Sequence, residues 1–167
     1  LICGSDIEYE ATQKRKTCYF CGHSFKAEAQ CVEGHYVCDY CHSAPASKVI
    51  RNFCLVTLSS DPVFIANEIM KHPSVSMHGP EHHFLVPAVL LTAYHNKQGT
   101  REVLEKQIEQ AHERSGHILG GFCGFYGTCG AAVGTGIFTS IITGATPISG
   151  KSWKLSNQMT AQALTCV

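Results

Sequence analysis

Cys18-Tyr19-Phe20-Cys21-Gly22 and, after sixteen intervening residues, Cys38-Asp39-Tyr40-Cys41 bracket the stretch that decides the N-terminal fold. Two C-x2-C pairs at this separation lie in the range for a tetrahedral four-cysteine zinc site. Glycine directly after the second cysteine lets the backbone turn and aim amides at the sulfurs, the form of a zinc knuckle. A segment of this size buries too little apolar surface to fold without a staple. Cys18, Cys21, Cys38 and Cys41 are therefore expected to hold one structural zinc ion, designated site A.

Working outward, Cys31-x3-His35 lies between the two pairs, and Cys3-Gly4 upstream resembles the end of another knuckle. This alternation is that of a RING-type cross-brace, in which pairs one and three share one ion and pairs two and four share the other. Site B is accordingly expected to use Cys3, Cys31, His35 and a residue preceding Leu1, making one or two structural zinc ions in all. The chain does not begin with Met, so its true start is expected upstream. His23 and His42 are read as neighbours of the ligands. With four protein ligands zinc has no open position, so the module points to structure or binding and not to chemistry.

Of 167 residues, ten are cysteine and six of these precede residue 42. Their spacing fits metal ligation better than disulfides, so a reducing, cytoplasmic setting is expected. The chain carries 13 basic and 13 acidic residues, which disfavours nucleic-acid binding driven by bulk charge. With 44% hydrophobic and 16% charged residues, it can bury a sizeable core. No charged residue falls between Ser115 and Gly150, but glycines, threonines and Pro147 break that stretch, so a buried helix is expected there and not a membrane span.

Beyond a link through Ser43–Lys48 the pattern becomes helical, giving an α+β chain. A β-rich metal module (treble-clef or RING-like) is expected over 1–43, and a mainly α-helical domain over 44–167. Asp61 and Pro62 form a cap and first turn, and His72-Pro73 stops that helix. A second helix begins at Pro80-Glu81 and runs towards Tyr94, with Pro87 as a kink or a later start. A charged amphipathic helix runs from Thr100 to about Arg114. Gly130–Thr143 and Lys151–Leu164 complete the set. Cys54 is read as core, and Cys166 lies near the end.

Two segments of the helical part are dense in chemistry. Met77-His78-Gly79-Pro80-Glu81-His82-His83 places three imidazoles and a carboxylate at a helix start. These groups suit proton transfer near neutral pH or a transition metal. Gly120-Gly121-Phe122-Cys123-Gly124-Phe125-Tyr126-Gly127-Thr128-Cys129-Gly130 is a glycine-rich loop leading into a helix. Amides at such an N-terminus favour anions and thiolates, and Cys129 is the best-placed thiol. Three readings stand beside one another. Cys123 and Cys129 hold an iron–sulfur cluster or second metal, they act as reactive or redox thiols, or they pack as small apolar groups against close-set helices.

CGHSF, CVEGHYVCDYCHS, MHGPEHHFLVPAVLL and GGFCGFYGTCGAAVGTGIFTSIITGATP together resemble a prokaryotic family of unknown function, associated with methanogenic archaea and anaerobic bacteria. The resemblance covers nearly the whole chain. It implies a further cysteine three residues before Cys3, and a glycine- and cysteine-containing tail that this chain lacks. The anaerobic setting implies a place for oxygen-sensitive iron–sulfur chemistry.

The resulting expectation is a zinc-stabilised protein whose helical domain carries a metal- or thiol-dependent site for a small polar or anionic substrate. His78, Glu81, His82, His83, Cys123 and Cys129 would be its catalytic groups, with Gly127 and Gly130 in an anion-holding loop. The alternatives are a zinc-module adaptor for a protein or RNA partner, and a thiol redox or metal sensor. Oligomeric state has no signature in the chain.

Overall fold

The computed structural model describes residues 2–42 and 44–167. Two strands open the chain, β1 (Ile7–Thr17) and β2 (Ser24–Cys31), paired antiparallel. The register runs from Thr17 opposite Ser24 at the turn to Ile7 opposite Cys31 at the open end, with a bulge between Tyr9 and Lys14. An isolated two-stranded ribbon is marginal in water. This one is pinned at both ends by sulfur-rich clusters: Cys18 and Cys21 form its turn, and Cys31 closes its far end. Gly22 takes a φ of 69°, and its N–H donates to the Cys18 carbonyl at 2.9 Å, which makes the knuckle.

After β2 the chain turns at Gly34 and returns beside Cys18, where the Tyr19 N–H donates to the Tyr36 carbonyl at 2.8 Å. A single helical turn, α1 (Asp39–His42), then presents Cys41. The expected end of the module at Ser43 falls outside the described residues. Helix α2 (Ala46–Val56) starts within the stretch read as a link, and Pro45 stands immediately before its first turn.

The next helix, α3 (Pro62–Met70), follows its sequence signals closely. Asp61 accepts from the Val63 and Phe64 N–H groups, and Pro62 occupies the first turn. Helix α4 (Glu81–Gln98) continues through a buried Pro87. Proline has no N–H to give the His83 carbonyl, yet the helix is held on several sides by α2, α3, α5 and α7. A 3₁₀ turn (Arg101–Val103) leads into α5 (Leu104–Gly116). A short α6 (Phe122–Tyr126) lies where the sequence suggested only loop, bracketed by Gly121 and Gly127 at φ of 83° and 65°. The last two helices are α7 (Gly130–Ile142) and α8 (Gly150–Leu164). Among the described residues no helix is long and apolar enough to cross a membrane.

The small residues of α7 explain its position. A Cβ on Gly134 would press on Pro87 and Val86 of α4, and one on Gly136 would strike Thr160 and the Ser156 carbonyl of α8. Only glycine lets α7 sit this close to both neighbours.

The hydrophobic core runs without a break from the module into the helices. Phe20, from the knuckle, is fully buried and meets Phe53 of α2 and His72 edge-on, with ring centroids at 6.1 and 4.9 Å. Tyr19 donates its phenol hydrogen to Glu68 of α3, which also pairs with Lys71. His72 is buried in its neutral form. Its Nε2–H donates to the Cys41 carbonyl at 2.9 Å, and its Nδ1 accepts from the Ser74 hydroxyl at 2.7 Å.

Burial lowers the pKa of His72 below the ordinary 6.5, although its bond to Cys41 acts the other way. The unfolded chain therefore binds the proton first. Stability is full above 6.5 and falls as pH drops through that value towards the lowered folded one. In urea titrations between pH 7 and 5.5, His72→Gln is expected to remove this component of the pH slope. That component is at most about 1.4 kcal/mol per pH unit for one proton.

Candidate functional site

Site A assembles from two places. The hairpin turn contributes Cys18 and Cys21, and the start of α1 contributes Cys38 and Cys41. All four are buried and their sulfurs lie within 4.8 Å of one another. Cys21 Sγ and Cys38 Sγ are 3.9 Å apart. That is the edge expected of a tetrahedron with metal–sulfur bonds of about 2.3 Å, namely about 3.8 Å, and far too long for a disulfide. The Cys38 N–H points at Cys18 Sγ at 3.4 Å. None of the ten cysteines is paired in a disulfide.

The thiols of this cluster differ in how readily they ionise. Burial opposes ionisation of Cys18, but N–H groups of Cys38, Cys21 and Phe20 outweigh it and hold its pKa below the usual range. Burial pushes Cys21 up to about 11 and raises Cys41 further, with the neighbouring Cys18 adding to it. Four thiolates this close need a cation among them. The donor set is soft, buried and closed, and it fits a structural metal ion.

A second group joins the opposite end of the hairpin. Cys3, Cys31 and His35 bring their donor atoms within 4.8 Å of one another. Cys3 Sγ lies 3.6 Å from Cys31 Sγ, which is 3.3 Å from His35 Nδ1. The two groups interleave along the chain: Cys3 precedes Cys18 and Cys21, and Cys31 and His35 lie between these and Cys38 and Cys41. A hydrogen bond from the Ser5 side chain, followed by one from its backbone, lowers the Cys3 thiol to about 6. The residue expected before Leu1 lies outside the described residues.

The histidine-rich and glycine-rich segments meet at the junction of α4, α6 and α7. Met77, His78, His82 and His83 face Gly120–Cys123, Cys129 and Gly130 across a cavity of about 460 Å³. Contact is close: a Cβ on Gly130 would overlap the His83 ring. Cys129 immediately precedes α7, as read from the sequence, and is half-buried, while Cys123 on α6 is exposed. Gly127 closes α6 in a left-handed conformation and is not part of the cavity lining.

Glu81 lies beside this cavity and does not line it. Its Oε1 accepts from the Ser76 N–H at 2.6 Å, while His82 Nε2 donates to the Ser76 carbonyl at 2.7 Å. The two side chains grip both ends of one residue and fix the loop that carries Met77 and His78. Burial works against the Glu81 carboxylate, but its own N–H and that of Ser76 keep its pKa lowered. It is held as an anion occupied with backbone, which suits positioning better than proton abstraction. Among the described residues, groups of three or more His, Cys, Asp or Glu donors within 4.8 Å occur at sites A and B, and Cys123 and Cys129 belong to neither.

Fold and site together define a cysteine-rich module whose clustered donors could hold metal, joined to a helical bundle with a cavity of imidazoles and thiols. The chain belongs to DUF5714, a family of unknown function, which matches residues 50–167. The match contains every residue of the cavity between α4 and α7, and none of the seven donors of sites A and B. No curated protein and no solved structure matches the chain.

Proposed function

We propose that this is a zinc-stabilised protein whose helical domain carries a thiol-dependent active site for a small polar or anionic substrate. The observation that carries the reading is the shared cavity, which places Cys129 at the start of α7 and the His83 ring against Gly130, its neighbour. Cys129 would act as nucleophile and His83 as the group that takes its proton. A helix N-terminus and adjacent imidazole favour a thiolate. Amides at the start of α7 would hold negative charge on the substrate. Glu81 and His82 would position the facing loop through Ser76, and His78 and Cys123 would stand at the exposed rim.

Zinc at site A, with Cys3, Cys31 and His35 contributing to a second ion, would hold the module and, through Phe20, brace α2 and the segment around His72. The thiol reading is preferred to an iron–sulfur cluster because, among the described residues, neither Cys123 nor Cys129 belongs to a group of three or more His, Cys, Asp or Glu donors within 4.8 Å. A second reading, docking of a protein partner, is favoured by four exposed apolar side chains of this loop region. Met77 is 86% exposed, Leu119 64%, Phe125 86% and Tyr126 71%.

Metal analysis and a visible spectrum of protein purified without oxygen test the site's chemistry. The expected result is zinc alone, with no sulfide and no visible absorption band. Iron with sulfide, lost in Cys123→Ala, would replace the thiol reading with a cluster.

A further inference from the structure

The two donor groups of the module differ in access. At site A the exposures are 1, 8, 3 and 0% for Cys18, Cys21, Cys38 and Cys41. At the other end of the hairpin, Cys3 is exposed and Cys31 and His35 are half-buried. These three also line a hollow of about 540 Å³, which continues along the hairpin past Ser5 and Ile7. Their separations of 3.6 Å (Cys3 to Cys31) and 3.3 Å (Cys31 to His35) are close to the edges of a tetrahedron around one ion, about 3.6 to 3.8 Å for mixed sulfur and nitrogen donors. The His35 N–H donates to Cys31 Sγ at 3.2 Å, stabilising that sulfur as a thiolate.

We propose that Cys3, Cys31 and His35 form an exchangeable metal site, reached from this hollow, while the ion on the four buried cysteines stays in place. The inference rests on the zinc reading of site A and adds a difference in kinetics. Two sulfurs and one imidazole select a borderline-soft divalent cation such as zinc over magnesium or calcium. Exchange at such an ion proceeds by approach of an incoming ligand. The hollow lined by Cys31 and His35 admits one, whereas at site A the surrounding core excludes it. Cys3 lies before β1, where the described residues 2–6 form no helix or strand, so an ion here ties them to the end of β2. Occupancy would latch the N-terminal segment, and loss of the ion would release it, while the knuckle and the core beneath stay folded.

The test is a chelator challenge of the zinc-loaded full chain, with released zinc followed by a colorimetric indicator. Two equivalents are expected, one leaving faster by about tenfold or more. His35→Ala should remove the fast equivalent and leave the slow one, with an unchanged circular dichroism spectrum. Cys41→Ser should remove the slow one. A single, slow equivalent at saturating zinc, two equivalents leaving at one rate, or a fast equivalent that survives in His35→Ala would each overturn the proposal. Absence of the slow equivalent from the wild-type chain would instead count against the zinc reading of site A.

Discussion

A Cys41→Ser chain is expected to lose the slow metal equivalent and to unfold more easily by about 4 kcal/mol or more. Serine oxygen is a poor substitute for a soft thiolate, and Cys41 is fully buried, so nothing else can take its place in the site. The damage should not stop at the module. The Cys41 carbonyl receives the His72 ring N–H, and Phe20 stands between the knuckle, Phe53 and His72. Losing a metal ion held by these cysteines would free the knuckle that holds Phe20 in place. Urea unfolding followed by helix content should therefore show a lower midpoint for the whole chain, with zinc content reduced by one equivalent. Full zinc content with an unchanged midpoint would contradict this arrangement.

The second large effect is expected at Gly130. A methyl group there overlaps the His83 ring, so Gly130→Ala must either turn His83 away or push α7 off α4. Overpacking of this kind costs about 1–3 kcal/mol. Gly124→Ala is the matched control, because nothing lies within 4 Å of a Cβ at that position. Thermal unfolding should show a clear loss for the first variant and little change for the second. Equal behaviour of the two would mean that α4 and α7 do not meet as described.

Much of this architecture is legible in the chain, for identifiable physical reasons. Metal ligands need fixed spacing, so Cys18, Cys21, Cys38 and Cys41 announce their cluster. Helix caps are local, so Asp61-Pro62 marks α3. The small residues of α7 also speak plainly, since glycine at Gly130, Gly134 and Gly136 has a cost that only close packing offsets.

What depends on distant partners is not legible. Glu81 looks like an acid or base beside three histidines, but its carboxylate is taken by the Ser76 N–H, a contact set by how the 71–80 loop returns. Nothing in the cysteine spacing marks Tyr19 and Phe20 as the joints between module and helices, a role set by Glu68, Phe53 and His72. Pro87 suggests a kink or a later start, but packing on α7 and three other helices carries α4 through it. The start of α2 falls inside the Ser43–Lys48 stretch read as a link, although Pro45 stands immediately before its first turn. The short α6 was hidden by its glycines, which here bound a helical turn.

The central claim, that the cavity between α4 and α7 holds a reactive thiol, is tested most directly by alkylation of the native protein. Cys166 is the internal reference, exposed near the end of the chain, whereas Cys129 is half-buried at the start of α7. Rates of iodoacetamide labelling, resolved by peptide mass spectrometry between pH 6 and 9, should rank the two against their exposure. The account predicts that Cys129 reacts about tenfold faster than Cys166 or more, with the excess reduced in His83→Ala. A Cys129 that labels no faster than Cys166 at any pH would contradict it.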